Sequence, residues 1–265
     1  MIDRFGREIN YLRISVTDKC NLRCVYCMPE EGVPKREHAD FLRFEEIAAI
    51  AREAAGLGIR KVRLTGGEPL VKRNIVTLVE MLNAIGGISH LAMSTNGTRL
   101  AACASDLRRA GLDSVNVSLD TLDPQKYREI TRCGRIEDVL EGIEAARRVG
   151  FPMKINTVVL EETTDAEILR MKRFCEEGGV KLQLINHFSL SRSKQDRYTF
   201  DRPPDCSQCN RIRLMADGVL KPCLHSDIEI PVNPDAIRQS LLEAVRLKPE
   251  HGTVCLSRGM VEIGG

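Results

Sequence analysis

Between residues 11 and 188 short β-branched runs alternate with longer stretches whose apolar residues recur at helical spacing, and this rhythm limits the possible folds more than any other feature. The runs "YLRISVTD", "KVRLTG", "HLAMSTN", "SVNVSLD", "MKINTVVL" and "KLQLINHF" read as strands. Between them lie "FEEIAAIAREAAGLG", "NIVTLVEMLNAIGG", "TRLAACASDLRRAG", "IEDVLEGIEAARRVG" and "DAEILRMKRFCEEGG", which read as helices stopped by glycine. Such alternation predicts an α/β fold with a parallel sheet and right-handed crossovers. Six strands are too few for a closed eight-stranded barrel. A fully buried parallel strand is nearly all apolar, yet Arg13, Ser15, Arg63, Ser94, Asn116, Ser118, Lys154 and Asn156 sit inside theirs at period-two spacing. Their polarity predicts a partial (β/α)6 barrel curved around a wet interior, with chemistry at the C-terminal ends of the strands.

The rest of the chain frames this unit. A length of 265 residues with 43% apolar content suits one sizeable domain plus a small appendage. Residues 1–188 form the expected barrel. The polar, proline-bearing "SLSRSKQDRYTFDRPPD" at 189–205 reads as a linker, and 206–265 as a small cysteine-bearing appendage. A formal charge of +2 excludes a global field that recruits nucleic acid or an anionic membrane. "MIDRFGREINYL" lacks a signal-peptide core and no run of about 18 apolar residues occurs, so the expectation is a cytoplasmic protein.

Ten cysteines in a reducing compartment are not a disulfide framework. Cys103, Cys133, Cys175 and Cys255 are scattered and read as small hydrophobes. The other six form two groups of three. "CNLRCVYC" places Cys20, Cys24 and Cys27 directly after the first strand. Soft thiolates in tight groups select zinc or iron-sulfur clusters, and structural zinc wants four ligands. Three thiolates on a 4Fe-4S cluster leave one iron open, which is useful only where the cluster does chemistry. The second group is Cys206, Cys209 and Cys223, with His225 as a possible fourth zinc ligand.

CxxxCxxC with an aromatic before its last cysteine, after strand one, resembles the radical S-adenosylmethionine (SAM) superfamily. The "TGGEP" at 65–69 matches that superfamily's second element. The resemblance implies a 4Fe-4S cluster on Cys20, Cys24 and Cys27, whose open iron binds SAM and whose electron cleaves it to a 5'-deoxyadenosyl radical. It further implies SAM contacts from Tyr26, Gly66, Gly67, Glu68, Ser94, Thr95, Ser118 and Asn156, the glycines letting backbone approach the SAM amino group. In order along the chain, "LRISVTDKCNLRCVYCMPEEGV", "VRLTGGEPLV", "STNGTRL", "VNVSLDTLDPQKYREIT", "KINTVVL", "CSQCNRIRLMADGVLKPCL" and "SRGMVEIGG" resemble the GTP 3',8-cyclase family of molybdenum cofactor (molybdopterin) biosynthesis. That likeness implies a second 4Fe-4S cluster on Cys206, Cys209 and Cys223, a lyase reaction on GTP, and substrate contacts from Arg13, Lys61, Arg63, Lys154, Arg211 and Arg213. It also implies that Gly264 and Gly265 reach into the active site.

Three departures from the family stand out. The stretch after residue 188 is short, the segment before "SRGMVEIGG" is abbreviated, and Gln183 and Asn186 occupy positions where the family tends to carry a basic and an acidic residue. A peptide maturase or another nucleotide-modifying enzyme with an auxiliary cluster is the alternative within radical SAM chemistry. A non-catalytic iron-sulfur electron carrier is the alternative of another class, disfavoured because a carrier wants four thiolates per cluster. The expected partners are a nucleotide substrate and an electron donor such as flavodoxin or ferredoxin, with neither nucleic acid nor membrane, in a monomer or homodimer.

Overall fold

The computed structural model describes residues 1–33, 37, 40–187, 190 and 205–263. The expected linker at 189–205 therefore lies outside the described residues except at its 190 and 205 positions, and the Gly264-Gly265 tail lies outside them altogether. Six parallel strands form where the sequence pattern places them: β1 Tyr11–Ser15, β2 Lys61–Thr65, β3 His90–Thr95, β4 Ser114–Ser118, β5 Met153–Val159 and β6 Lys181–Asn186. The crossover helices are α1 Phe44–Gly56, α2 Ile75–Asn83, α3 Ala104–Arg109, α4 Pro124–Thr131, α5 Ile136–Arg148 and α6 Asp165–Glu177. The stretch expected as the third helix is shorter than its pattern suggests, because residues 100–102 form a separate 3-10 turn. Helix α4 was not among the expected elements, although "DP" marks its start. Asp123 accepts the Lys126 amide at 2.9 Å as N-cap, and Pro124 supplies the first helical residue.

The sheet does not stop at six strands. Residues expected to form an appendage contribute β7 Arg211–Leu214, β8 Val219–Lys221 and β9 Ile230–Pro231, giving the order β6-β5-β4-β3-β2-β1-β7-β8-β9. Strand β7 runs parallel to β1, whereas β8 and β9 return antiparallel. Helix α7 Ile237–Arg246 buries Leu241, Ala244 and Val245 in the same core as β1 to β5, and the short α8 Met260–Ile263 ends the described chain. Among the described residues β6 and β9 are the edges, so the arrangement is an open, partial barrel.

Side-chain alternation does the rest. Leu12, Ile14, Val62, Leu64, Leu91, Met93, Val115, Val117 and Ile155 are buried in the core on the helix-covered face. Their polar neighbours therefore face the opposite, concave side. Of the eight polar strand residues expected to face a wet interior, Ser15 is the one that does not line the concave cavity: it is buried and donates to the Thr17 carbonyl at 3.3 Å. Among the described residues no helix is long and apolar enough to cross a membrane.

Candidate functional site

A cavity of about 500 Å³ opens on the concave face. Every residue that the resemblance assigns to the first cluster, to SAM or to substrate lines it. The structure thus brings together all of the expected site residues except Cys206, Cys209 and Cys223, which are not among the residues lining this cavity.

The first cysteine loop is held from three directions. From β2, the Gly67 and Glu68 amides donate to the Thr17 and Lys19 carbonyls at 2.7 and 2.8 Å. A Cβ on Gly66 would stand 2.5 Å from the Thr17 oxygen, and one on Gly67 2.4 Å from the Lys19 oxygen. Both glycines are therefore needed for the close approach of these two backbones, a reason other than the approach to SAM expected from the motif. From outside, the Arg23 and Val25 amides donate to the carbonyls of Thr131 and Ile130 at the end of α4, and the Arg132 guanidinium donates to the Arg23 and Met28 carbonyls at 2.7 and 3.0 Å. From β3, the Asn96 amide group donates to the Cys20 sulfur at 3.8 Å and to Asn21 at 3.0 Å.

Within the loop the three thiols are electrostatic neighbours. Burial pushes each of them up, Cys27 to about 12, and for Cys24 the Asp120 carboxylate and the other two thiols add to the effect. Bare, they hold their protons at neutral pH, and metal binding must release them. Tyr26 donates to Asp120 at 2.7 Å, and Asp120, itself pushed up to about 6 by burial, accepts the Val158 amide at 2.8 Å. Tyr26 is thereby fixed against β4 and β5.

Glu68 ties β2 to β3. Fully buried, it accepts from the Leu70 amide at 2.9 Å, the Thr95 hydroxyl at 2.7 Å and the Asn96 amide at 2.6 Å. Burial nevertheless pushes its carboxyl up to about 7. Both Glu68 and Thr95 thus spend their polar atoms inside the protein and shape the wall of the cavity. Asn156 offers something different: its Oδ1 is buried at the cavity with no hydrogen-bond partner among the described residues. An orphaned acceptor in a cavity lined also by the three thiols fits a ligand that brings donors, as the SAM amino and ribose groups do.

The other side of the cavity is cationic. Pairing of β7, β1 and β2 sets Arg213, Arg13 and Arg63 at one level, and Arg211, Tyr11 and Lys61 at the next inward-facing level. Like charges directly opposite on adjacent strands are destabilising. Desolvation, followed by Arg213, lowers Arg13 well below the usual arginine range, and desolvation with Arg211 lowers Arg213 to about 10. The Nε atoms of Arg211 and Arg213 are buried without a hydrogen-bond partner among the described residues. Tyr11 was not singled out from the sequence. Its hydroxyl accepts from Arg63 at 2.6 Å, and although burial pushes it up, Arg63, Arg13 and Arg211 prevail and lower it. Asn96, Asp120 and His90 were also missed. Asn96 and Asp120 lay within the quoted "STNGTRL" and "VNVSLDTLDPQKYREIT", while nothing local distinguishes His90 from an ordinary strand-end residue.

Cys206 opens a 3-10 turn that Cys209 caps, and Cys223 follows β8. Gly252 packs between Cys223 and His225, where a Cβ would lie 2.9 Å from the Cys223 sulfur and 2.8 Å from the His225 Cβ. Among the described residues no three His, Cys, Asp or Glu side chains converge as ligands of a single metal ion. In a cubane cluster each thiolate bonds a different iron, so the two three-thiol groups suit iron-sulfur chemistry by donor type and number.

Comparison with known proteins places this geometry. The Radical SAM superfamily profile matches residues 14–175. GTP 3',8-cyclase of Moorella thermoacetica is 41% identical, with all of both chains covered, and that of Peptoclostridium acidaminophilum is 40% identical over all of this chain and 98% of the relative. The Moorella alignment runs over 324 positions against 265 residues here, so gaps stand opposite this chain. Among solved structures, Streptococcus suis SuiB bound to precursor peptide SuiA superposes with a TM-score of 0.74 at 16% identity, covering 97% of this chain and 71% of that one. At that identity the likeness speaks for the fold alone.

Proposed function

The chain belongs to the radical SAM superfamily and, within it, to the family of the relatives named GTP 3',8-cyclase, and from that premise we propose that this radical SAM enzyme converts GTP to (8S)-3',8-cyclo-7,8-dihydroguanosine 5'-triphosphate in molybdenum cofactor biosynthesis. The observation that carries the substrate is the in-register row Arg213, Arg13 and Arg63, joined at the cavity by Lys61, Lys154 and Arg211. Repulsion among cations set level on three adjacent strands favours a polyanionic ligand, and a nucleoside triphosphate brings about four negative charges.

Cys20, Cys24 and Cys27 would hold a 4Fe-4S cluster, with SAM against Gly66, Gly67, Ser94, Ser118 and Asn156. Bound there, cluster and SAM would supply a 5'-deoxyadenosyl radical for abstraction of a hydrogen atom from the substrate ribose. The chain's own part is positional. Glu68 and Asn96 hold the β2 and β3 ends against the cysteine loop, Tyr26 and Asp120 fix its last turn, and the cations align the triphosphate so that the ribose faces the thiols. Cys206, Cys209 and Cys223 would hold a second 4Fe-4S cluster at the guanine end. We place the protein in the cytoplasm, reduced by a donor such as flavodoxin or ferredoxin.

Anaerobic incubation of the reconstituted chain with SAM, dithionite and GTP, followed by mass spectrometry, tests the reading. It expects 5'-deoxyadenosine and a cyclised nucleotide. SAM cleavage that no nucleotide stimulates would overturn the GTP assignment.

A further inference from the structure

Lys248 follows α7 and is 1% exposed, among the most deeply buried cations of the chain. Its Nζ donates to the Cys209 sulfur at 3.4 Å, the Arg211 carbonyl at 2.8 Å and the Pro222 carbonyl at 2.8 Å. An ammonium has three N–H donors, and all three are used. Their acceptors matter: Cys209 belongs to the CxxC, Arg211 opens the cavity wall, and Pro222 directly precedes Cys223. One side chain thus joins the two halves of the second cysteine group to β7.

Its backbone is clamped in turn. In the N-terminal turn, Asp3 accepts from the Arg7 Nε at 2.7 Å, leaving both terminal nitrogens of that guanidinium for other work. Nη2 donates to the Pro249 carbonyl at 2.6 Å, while Nη1 donates to the Glu250 carbonyl at 2.9 Å and to the Cys206 carbonyl at 2.7 Å. The residues immediately after Lys248 and the first cysteine of the CxxC are therefore stapled to the same arginine.

A buried ammonium is costly unless compensated. Around Nζ the compensating groups are two carbonyls and the Cys209 sulfur. Such an arrangement is poorly matched to neutral thiols and well matched to thiolates bearing metal. Reduction of an iron-sulfur cluster adds negative charge that spreads onto its sulfurs. An N–H donor with a full positive charge behind one of them favours the reduced form and raises the potential.

We propose that Lys248 is a positioning residue of the second cysteine group, which donates to the Cys209 thiolate and sets how readily a cluster held there accepts an electron. The proposal rests on reading Cys206, Cys209 and Cys223 as cluster ligands. It extends the site beyond its ligands to a cation contributed by the segment after α7, held in place by the N-terminal turn.

The test uses the full chain, anaerobically reconstituted, as wild type, Lys248→Met and Lys248→Arg. Iron, sulfide and zinc are measured, and each cluster's midpoint is followed by electron paramagnetic resonance in a mediated titration, with SAM identifying the Cys20 cluster by its altered signal. In Lys248→Met the midpoint of the cluster that does not respond to SAM should become more negative, and the SAM-responsive one should not move. Lys248→Arg, which keeps charge and donors, should recover most of the shift. If the Met variant instead loses the second cluster while Arg retains it, the donated charge is holding the cluster and the proposal stands. Unchanged midpoints with full iron, or equal shifts or equal losses in Met and Arg, overturn it while leaving the cluster reading intact. Zinc or empty thiols at the second group of the wild type overturn both together.

Discussion

Replacing Glu68 by Gln sets two opposing effects of one buried carboxylate against each other. In the native protein Oε1 accepts from the Leu70 amide and the Thr95 hydroxyl, and Oε2 accepts from the Asn96 amide at 2.6 Å. Glutamine retains one acceptor oxygen but turns an NH₂ group toward the Asn96 N–H. Losing a short hydrogen bond and leaving a buried donor unsatisfied costs about 1 to 3 kcal/mol. Proton linkage acts the other way. Burial pushes Glu68 up to about 7 from an ordinary 4.5, so the folded state binds more protons than the unfolded one across that interval. The carboxyl's contribution to stability is fully present below pH 4.5 and is lost as pH rises through 7. A displacement of this size corresponds to about 3 kcal/mol. Glutamine does not titrate, so the stability gap between native protein and Glu68→Gln should narrow by about that amount from pH 4.5 to pH 8. Anaerobic urea unfolding of the metal-free chain at pH 4.5, 6 and 8 measures it. A gap that stays constant shows that burial and the three donors cancel. A gap that widens with pH shows the donors prevailing, and either result refutes the reasoning.

Lys154→Ala should weaken GTP binding by about ten- to a hundredfold, since one charge-assisted contact in a partly desolvated site contributes roughly 1.5 to 3 kcal/mol, and calorimetry should find SAM affinity almost unchanged. Cys24→Ala should abolish SAM cleavage and leave the second cluster's iron in place, whereas Cys209→Ala should permit cleavage to 5'-deoxyadenosine without nucleotide product, as iron analysis and mass spectrometry will report. Gly67→Ala drives a methyl onto the Lys19 and Asp18 carbonyls. It should therefore separate the β2 end from the cysteine loop and halve the iron content on reconstitution, even though the residue it adds is small and apolar.

How much of this was legible beforehand differs from element to element. The six strands and the cavity's cations followed from local pattern, since period-two alternation on a sheet with one covered face can send Arg13, Arg63 and Lys154 only to the other face. Helix α4 was overlooked because "DPQKYREIT" is short and polar, and its start is marked by a cap rather than by an apolar stripe. The reason for the two glycines of "TGGEP" was also hidden, because the clash they avoid is with residues 17–19, some fifty positions earlier.

By itself the sequence determined the βα repeat, the face on which each strand residue stands and the CxxxCxxC loop, because each of these depends on neighbours within one turn or one pleat. Only the tertiary structure decided that β7 lies beside β1. That pairing is anchored by the Asn10 and Asn210 side chains at 2.8 Å and brings Arg213 level with Arg13. It likewise decided that Lys248 and Arg7, from opposite ends of the chain, converge on one CxxC. Hydrogen bonds between segments about two hundred residues apart leave no period in either segment. Their selection rests on which edge strand offers complementary backbone groups once the sheet has formed, and on which buried donors then find acceptors.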